Sequence, residues 1–490
     1  TSQMATDRAL IKSAIKLVET QEMAPERAIW EAATSFADQM AALGGYMAER
    51  VTDIHDVRAR IVAELTGQQA PGIPVSDEPF ILAAIDLAPA DTATLDPEKV
   101  IALITSDGGP QAHTAILARG LGLPAIVAAK GVTEIADGTV VYVESNEGIV
   151  DTEPTDADRE AAIKYANRKP VADFDGQGVL ADGTRVELYA NVGDGKSAEK
   201  AASLKAEGVG LLRTEFGFLG HDSEPSIETQ AKTYKSVFDA FPGKHIVVRT
   251  LDAGADKPLP FLNVNPEENP ALGVRGFRTD WTVPGVLTRQ LEAIKAASED
   301  SDADIWVMAP MISTTSEARN FANMLKEIGL PVHGVMVETP AAVMNAEAIL
   351  GEVDFVSIGT NDLTQYTMAA DRLLGDLAHL NNPWQPAVLK MIKMTVEGAQ
   401  RASVTAGKKK YVSVCGEAAA DPALAVVLIG LGVDTLSMNA GAIPAVAAVL
   451  KSVTKEKAQQ IAAIALQQIS SAEAKESARK ALPILDELGL

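Results

Sequence analysis

The chain has 490 residues, 47% of them hydrophobic and 22% charged, which indicates a folded protein of several domains and excludes a disordered chain. Its 43 basic and 66 acidic residues give a formal net charge of −23, which disfavours nonspecific binding to nucleic acid or anionic membranes, and no apolar run is long enough for a transmembrane helix. The single cysteine excludes an intramolecular disulfide framework and favours a reducing, cytoplasmic location.

The first segment, residues 1–66, is predicted to be entirely helical. Apolar residues recur at helical spacing from Ala9 to Val18 and again from Ala28 to Leu65. A glycine at position 67 and a Pro-Gly pair soon after it end the pattern. The segment is therefore interpreted as a helical hairpin or as part of a small helical bundle.

A compact α/β unit is predicted over residues 67–153. Short apolar runs separated by turn residues indicate strands, and one helix is predicted over 110–119; the strands lie at 80–85, 100–105, 125–127 and 140–143. A polar helix follows at 156–167 and is interpreted as part of a linker over 154–179.

Residues 180–490 alternate short apolar runs with helical patterns. Eight strands are predicted, at 186–191, 209–213, 246–249, 305–308, 335–338, 355–358, 411–414 and 435–438. This order favours a (β/α)8 TIM barrel, with an open doubly wound sheet as the alternative. Polar residues lie at the carboxyl ends of successive predicted strands. Barrel enzymes place their catalytic groups at these ends, so this pattern favours the barrel.

One histidine has a sequence context suited to nucleophilic chemistry. His113 lies three residues after the start of a predicted helix at Pro110, and two glycines precede that proline. The positive end of the helix dipole there would lower the pKa of the imidazole and stabilise an anion attached to it. The alternative is an ordinary surface histidine near a helix cap.

Arginines concentrate around the predicted strand ends. Arg213 and Arg249 each end a strand and are followed by a threonine and then an acid, while Arg275 and Arg372 lie in later connections. One such arginine is commonly a salt-bridge partner, but several at one barrel mouth indicate a polyanionic ligand, because guanidinium groups bind phosphate and carboxylate in a bidentate manner.

Two acids and the cysteine complete the predicted barrel mouth. Glu338 and Asp362 follow the fifth and sixth strands, where two carboxylates suit a hard divalent cation; alternatively they are counter-ions of the arginines. Absence of a neighbouring His or Cys cluster disfavours zinc. Cys415 ends the seventh strand, either as inert core or as an acid or nucleophile.

Taken together, the sequence resembles enzyme I of the bacterial phosphoenolpyruvate:sugar phosphotransferase system. The resemblance covers nearly the whole chain, and its most specific stretches are 107–119, 208–216, 248–252, 335–342, 357–366 and 415–417. It implies a cytoplasmic phosphotransferase that acts on phosphoenolpyruvate with Mg²⁺ and serves sugar transport. It also implies a helical HPr-binding subdomain over 1–66, a phosphohistidine domain, and a barrel that forms a homodimer.

The resemblance also implies a role for each matching residue. The phosphorylated histidine would be His113, with Thr92 near its ring, and Cys415 would protonate the enolate to give pyruvate. Phosphoenolpyruvate would be held by Arg213, Arg249, Arg275, Asn361 and Arg372. Glu338 and Asp362 would bind Mg²⁺.

Two departures from the family pattern affect these expectations. Gln111 and Ala112 stand where family members usually carry Thr-Ser, so hydroxyl partners of the histidine are lost. The family also begins with a further segment that precedes the part represented by this sequence, so weakened docking of HPr is predicted. The alternatives are a piece of pyruvate phosphate dikinase or phosphoenolpyruvate synthase, or a catalytically inactive regulatory relative.

Overall fold

A computed structural model of the chain divides into two compact units, residues 1–167 and 168–490, which are described separately. The structure describes residues 8–43, 51–67, 73–74, 76–87, 95–96, 99–107, 114, 118, 123–145, 148–166, 171–254, 259–262, 267–374 and 377–490. Within these ranges no helix combines the length and the apolar character that crossing a bilayer requires.

The described part of the first unit begins with three helices, as the apolar periodicity predicts: α1 Arg8–Gln21, α2 Pro25–Leu43 and α3 Val51–Thr66. They pack around a small core that includes Leu10, Ile29, Ala33 and Ile54. Ala33 is fully buried, so α1 and α3 approach α2 closely where its side chains are small. This segment therefore has an apolar core of its own.

The rest of the first unit contains a small parallel sheet and a hairpin. Strands β1 Phe80–Ala84, β2 Val100–Thr105 and β3 Ala125–Ile126 form the sheet, and β4 Tyr142–Glu144 pairs antiparallel with β5 Ile149–Asp151. The sequence pattern predicts the first four strands and misses β5. A polar helix, α4 Asp156–Ala166, ends the described part of this unit.

The second unit is built on eight parallel strands that close into a barrel in chain order, with the last strand pairing with the first. The prediction of a closed barrel is confirmed, and the open-sheet alternative is wrong. The strands are β6 Glu187–Val192, β7 Gly208–Arg213, β8 His245–Arg249, β9 Asp304–Ala309, β10 His333–Val337, β11 Phe355–Gly359, β12 Tyr411–Cys415 and β13 Thr435–Met438.

Each predicted strand matches an observed one to within two residues at either end. The reason is that barrel strands are covered on both faces, inside by packed side chains and outside by helices, so they are continuous apolar runs. In β10 and β11 every residue is buried. The interior contains Leu211, Val247, Met308, Met336 and Phe355, so the barrel is a packed core below its mouth.

Helices surround the barrel. In chain order they are α5 Gly195–Ser203, α6 Ile227–Phe238, α7 Thr279–Thr282, α8 Val286–Glu299, α9 Thr315–Ile328, α10 Pro340–Met344, α11 Ala346–Glu352, α12 Thr360–Met368, α13 Pro386–Ala406, α14 Glu417–Ala420, α15 Pro422–Leu431, α16 Ile443–Leu450, α17 Lys455–Leu466, α18 Ser471–Lys480 and α19 Ile484–Leu488. Their apolar faces cover the outer surface of the sheet in one continuous core, which fixes the strand ends that carry the site.

Candidate active site at the mouth of the barrel

The register of the barrel places the predicted site residues side by side. Arg213 at the end of β7 lies opposite Arg249 at the end of β8. Across the barrel, Gly359 at the end of β11 lies opposite Cys415 at the end of β12, and Glu338 follows directly after β10. Residues that are distant in the chain therefore meet at one rim because parallel strands end on the same side.

Arg249 is buried and bound by two acids. Its guanidinium donates to Glu215, and another of its nitrogens lies 3.3 Å from an oxygen of Asp252. Burial alone would lower the pKa of Arg249, but the neighbouring carboxylates outweigh burial and raise it. This arginine is therefore a permanent positive charge in a site that excludes water.

Arg275 is the centre of a second ion-pair network. Its Nη1 lies 2.8 Å from Asp362 Oδ1 and its Nη2 lies 3.0 Å from Asp252 Oδ2. Arg372 Nη1 lies 3.2 Å from the other oxygen of Asp362. Asp362 is therefore a counter-ion of two arginines in this structure, as the alternative reading of the sequence expected.

Glu338 differs from the other acids of the mouth. It is 1% exposed, and no ion pair of its carboxylate is found among the described residues. Its Oε1 accepts a 2.6 Å hydrogen bond from the backbone N–H of Met311. Burial and the charges of Asp362 and Asp252 raise the pKa of Glu338 to about 8, although the nearby Arg275 and Arg249 act in the opposite direction. A buried carboxyl group that makes no direct ion pair is well suited to receive a cation.

The backbone beside Glu338 is adapted to it. A Cβ atom on Gly359 would lie 2.6 Å from Glu338 Oε2, so any larger residue at the end of β11 would displace the carboxylate. Met311 has a φ of +59°, a left-handed conformation that is costly for a residue with a side chain. Strain of this kind is common at functional sites because the surrounding structure holds it in place.

Cys415 is buried at the end of β12, where it belongs to the same apolar cluster as Met308 and Met336 and its Sγ donates a 3.6 Å hydrogen bond to the carbonyl oxygen of Ile358. Burial raises the pKa of its thiol, with Glu338 acting in the same direction, while Ser357, Arg249 and Arg213 act in the opposite direction. The thiol is therefore protonated at neutral pH, and such a group is a proton donor rather than a nucleophile.

Several polar atoms at the mouth are buried without a hydrogen-bond partner in the described part of the chain. They are Nε of Arg249 and Arg275, Oε2 of Glu215, and the hydroxyl groups of Thr250 and Thr360. An unsatisfied buried polar group costs about 1–3 kcal/mol. Several such groups in one place indicate a site that a polar ligand completes.

The donor set at this rim can be compared with what divalent cations require. Glu338 and Asp362 offer carboxylate oxygens, the ligands that Mg²⁺ prefers. No group of three or more acidic, histidine or cysteine side chains in the described ranges is arranged to hold a metal ion. The pair therefore fits a cation that keeps water ligands and takes further oxygens from a substrate, and it does not fit a metal enclosed by protein ligands alone.

Comparison with known proteins places this barrel in a family. The sequence matches the PEP-utilising enzyme PEP-binding domain over residues 171–455, the mobile domain of PEP-utilising enzymes over 76–148 and their N-terminal domain over 1–50. A phosphoenolpyruvate-protein phosphotransferase of Streptomyces coelicolor is 46% identical over 98% of this chain and 86% of its own length. The chain belongs to the phosphoenolpyruvate-protein phosphotransferase family.

Two further relatives carry the same name. The phosphoenolpyruvate-protein phosphotransferase of Haloferax volcanii is 39% identical over 92% of this chain and 81% of its own length. That of Staphylococcus carnosus is 37% identical over 87% of this chain and 77% of its own length. The resemblance inferred from the motifs is thereby confirmed over all three parts of the chain.

Two of the residues assigned by resemblance to this phosphotransferase family, His113 and Thr92, lie outside the described residues. The residue after the histidine is described. Thr114 is helical and buried, and its hydroxyl donates a 2.7 Å hydrogen bond to Asp86, two residues after β1. The position next to His113 is therefore anchored to the small sheet.

Three of the predicted substrate-binding residues, Arg372 among them, are more accessible than Arg249 and Arg275. Arg213 is half-buried at the end of β7, and Asn361 is exposed in the first turn of α12. Free backbone N–H groups of that turn are suited to an anion. Arg213 and Asn361 are therefore accessible to solvent, as is the half-buried Arg372, whereas Arg249 and Arg275 are buried.

The sequence gives little indication of the residues that hold these arginines. Glu215 and Asp252 are visible only as acids that follow an Arg-Thr pair, and nothing in the pattern shows that Asp252 contacts both Arg249 and Arg275. The backbone N–H of Met311 is invisible to any motif. In this phosphotransferase, long connections between strands bring these groups together, so only the fold reveals them.

Proposed function

We propose that the chain transfers the phosphoryl group of phosphoenolpyruvate to its own His113 and then to a histidine of HPr, releasing pyruvate. This would be the first step of sugar uptake by the phosphotransferase system. The observation that carries the proposal is that the buried guanidinium groups of Arg249 and Arg275 share one barrel mouth with Cys415, whose protonated thiol lies near Arg249. Binding a small polyanion and protonating the enolate it leaves behind require these groups.

Substrate binding is assigned to the cationic rim. The phosphate and carboxylate of phosphoenolpyruvate would be held by five side chains, Arg213, Arg249, Arg275, Asn361 and Arg372. Guanidinium groups bind such oxygens in pairs and cannot lose their charge at neutral pH. Glu215, Asp252 and Asp362 already form ion pairs with these arginines and neutralise part of their charge. An anionic substrate would therefore take the place of some of these carboxylates as the hydrogen-bond acceptor of the arginines.

Mg²⁺ is assigned to Glu338 and Asp362. When bound, the ion would neutralise developing charge on the phosphoryl and enolate oxygens. Glu338 would bind as a carboxylate and lose its proton. Asp362 would give up part of its contact with Arg275 or Arg372, which frees an arginine donor for the substrate.

In the proposed transfer, one bond to phosphorus is exchanged for another. The bond between phosphorus and the enol oxygen breaks while a bond forms between phosphorus and a ring nitrogen of His113. The arginines hold the phosphoryl oxygens in line, and the fixed positive charges stabilise the enolate. Cys415 donates its proton to the terminal carbon of the enolate, which gives pyruvate, and the thiolate recovers a proton from water.

Delivery is assigned to the first part of the chain. In the proposed division, residues 1–66 dock HPr, 67–153 carry His113, 154–179 link the domains and 180–490 form the barrel. Exposed apolar side chains of Ile11 and Ile15 on α1 support a protein-binding role for the first segment. His113 would move between the barrel and HPr, in the cytoplasm where the single cysteine stays reduced.

The proposed activity is tested by incubating the full chain with phosphoenolpyruvate, Mg²⁺ and HPr, and by measuring pyruvate together with the phosphate carried by HPr. We expect stoichiometric pyruvate and phospho-HPr, and no product when Mg²⁺ is chelated. A parallel reaction with ATP in place of phosphoenolpyruvate is expected to give no labelled protein. Labelling from ATP, or pyruvate without protein phosphorylation, would show that the assignment is wrong.

A homodimer through the barrel is proposed from the exposed apolar side chains of one face. Large apolar residues lie on connections after the carboxyl ends of strands, and each is more than 40% exposed: Phe216, Leu219, Leu272, Trp281, Met344, Leu373 and Leu374. Side chains of this size at one end of a barrel are typical of a surface that is covered by a partner. A second copy is the partner proposed here.

The dimer is expected to dissociate when acidic residues replace apolar ones on this surface. Leu272→Asp combined with Trp281→Glu should convert a dimer of the full chain into a monomer at micromolar concentration, because it places two carboxylates in an apolar interface. Light scattering after gel filtration measures the mass directly. Ile469→Asp is the matched control, since Ile469 is 88% exposed on the connection after α17 and should leave the mass unchanged.

A further inference from the structure

Gln290 on α8 is a buried amide whose role the reaction chemistry does not explain. It is 1% exposed, and its side-chain amide makes three hydrogen bonds. Its Oε1 accepts a 2.8 Å bond from the backbone N–H of Leu251. Its Nε2 donates to the hydroxyl of Thr214 at 3.0 Å and to the hydroxyl of Tyr234 at 3.1 Å.

Two of these bonds reach the strand ends that carry the arginines. Thr214 follows Arg213 directly at the end of β7, and Leu251 lies two residues after Arg249 at the end of β8. The hydroxyl of Thr214 also donates a 2.9 Å bond to the carbonyl oxygen of Arg249. One amide is thus bonded to both connections and, through Thr214, to the backbone of Arg249.

The geometry points to Gln290 as a positioning residue for phosphoryl transfer, one that fixes the spacing of Arg213 and Arg249 by holding both connections. This inference rests on the proposed function of those arginines. A residue in this place must accept one bond and donate two at once, which glutamine does and which leucine, methionine and ionised glutamate do not. The side chain of glutamine therefore has the hydrogen-bonding groups that holding both connections requires.

The expected consequence is a loss in turnover that exceeds the loss in substrate affinity. Without Gln290, Arg249 keeps its contacts with Glu215 and Asp252 and hence its charge, so the substrate still meets a cationic site. The relative position of Arg213 and Arg249 changes, and small misplacements of positioning groups cost about a hundredfold in rate. Turnover is sensitive to this alignment because the phosphoryl group must move in line.

The test is Gln290→Met in the full chain, assayed with phosphoenolpyruvate, Mg²⁺ and HPr. We expect kcat to fall about 10- to 100-fold while the KM for phosphoenolpyruvate changes less than about threefold. Tyr234→Phe is the matched control, because it removes one bond of Gln290 and leaves those to Thr214 and Leu251. It is expected to lower stability with kcat within about twofold of the unmodified chain.

A second pair of variants keeps the inference testable if Gln290→Met does not fold. Thr214→Val breaks the link between Gln290 and the carbonyl of Arg249, so kcat should fall, and Thr214→Ser should restore it. Combining Thr214→Val with Gln290→Met should cost no more than the larger single effect. Equal kcat for Gln290→Met and Tyr234→Phe, or a Thr214→Val chain with normal kcat, would overturn the inference. An inactive unmodified chain would instead overturn the proposed function.

Discussion

Replacing His113 with alanine is expected to abolish labelling of the chain by phosphoenolpyruvate. A phosphoryl group bound to a ring nitrogen requires a free, neutral imidazole, and the helix start that the sequence predicts at Pro110 would favour both the neutral ring and the anion attached to it. Acid-labile, base-stable label measured after incubation with labelled phosphoenolpyruvate and Mg²⁺ should fall to background. Transfer to HPr should disappear with it.

The control for this experiment is another histidine that phosphoenolpyruvate could meet at the barrel. His221 is exposed on the connection after β7, the strand that ends in Arg213. His221→Ala is expected to retain full labelling. If the His113→Ala chain is still labelled while the His221→Ala chain is not, the acceptor has been assigned to the wrong histidine and the role of residues 67–153 must be revised.

The barrel could be predicted because its strands are mostly apolar and are therefore easy to recognise in the sequence. All five residues of β11 are buried, and the corresponding apolar run is bounded by polar residues on both sides. Strand β5 was missed because its three residues include one exposed and two half-buried side chains, and the antiparallel hairpin leaves no continuous apolar run. Burial on both faces, rather than strand propensity, determined which strands could be predicted.

The site was predictable only in part. Positions at strand ends identified Arg249, Glu338 and Cys415, since the carboxyl ends of parallel strands must share one rim. The sequence could not show that Asp362 contacts Arg275, because 87 residues separate them and the contact depends on two connections folding toward each other. It also could not reveal Gln290, a helix residue whose amide matters only through its partners.

Substitutions of the two acids assigned to the metal are expected to lower activity alike but to have different effects on the stability of the barrel. Glu338→Gln and Asp362→Asn should each reduce Mg²⁺-dependent turnover by about a thousandfold or more, since each removes a charged ligand and charge stabilisation by a metal amounts to several kcal/mol. Asp362→Asn also leaves Arg275 and Arg372 without a shared counter-ion. Breaking a buried ion pair from one side costs about 3–5 kcal/mol.

Glu338→Gln should leave the metal-free barrel as stable as before or more stable. Glu338 is buried without an ion-pair partner in the described ranges, and burial together with Asp362 and Asp252 raises its pKa to about 8. The metal-free group is therefore mostly protonated at neutral pH, and the neutral amide of glutamine replaces it without loss of a charge. The amide oxygen can still accept the N–H of Met311.

Calorimetry in the presence of a chelator distinguishes these effects. The unfolding temperature of the barrel should fall by several degrees for Asp362→Asn and should be unchanged or raised for Glu338→Gln. Equal destabilisation by both substitutions would mean that Glu338, like Asp362, is held by an arginine. In that case Glu338 would not be a carboxyl group free to receive a cation, and the assignment of Mg²⁺ to this pair would lose its main support.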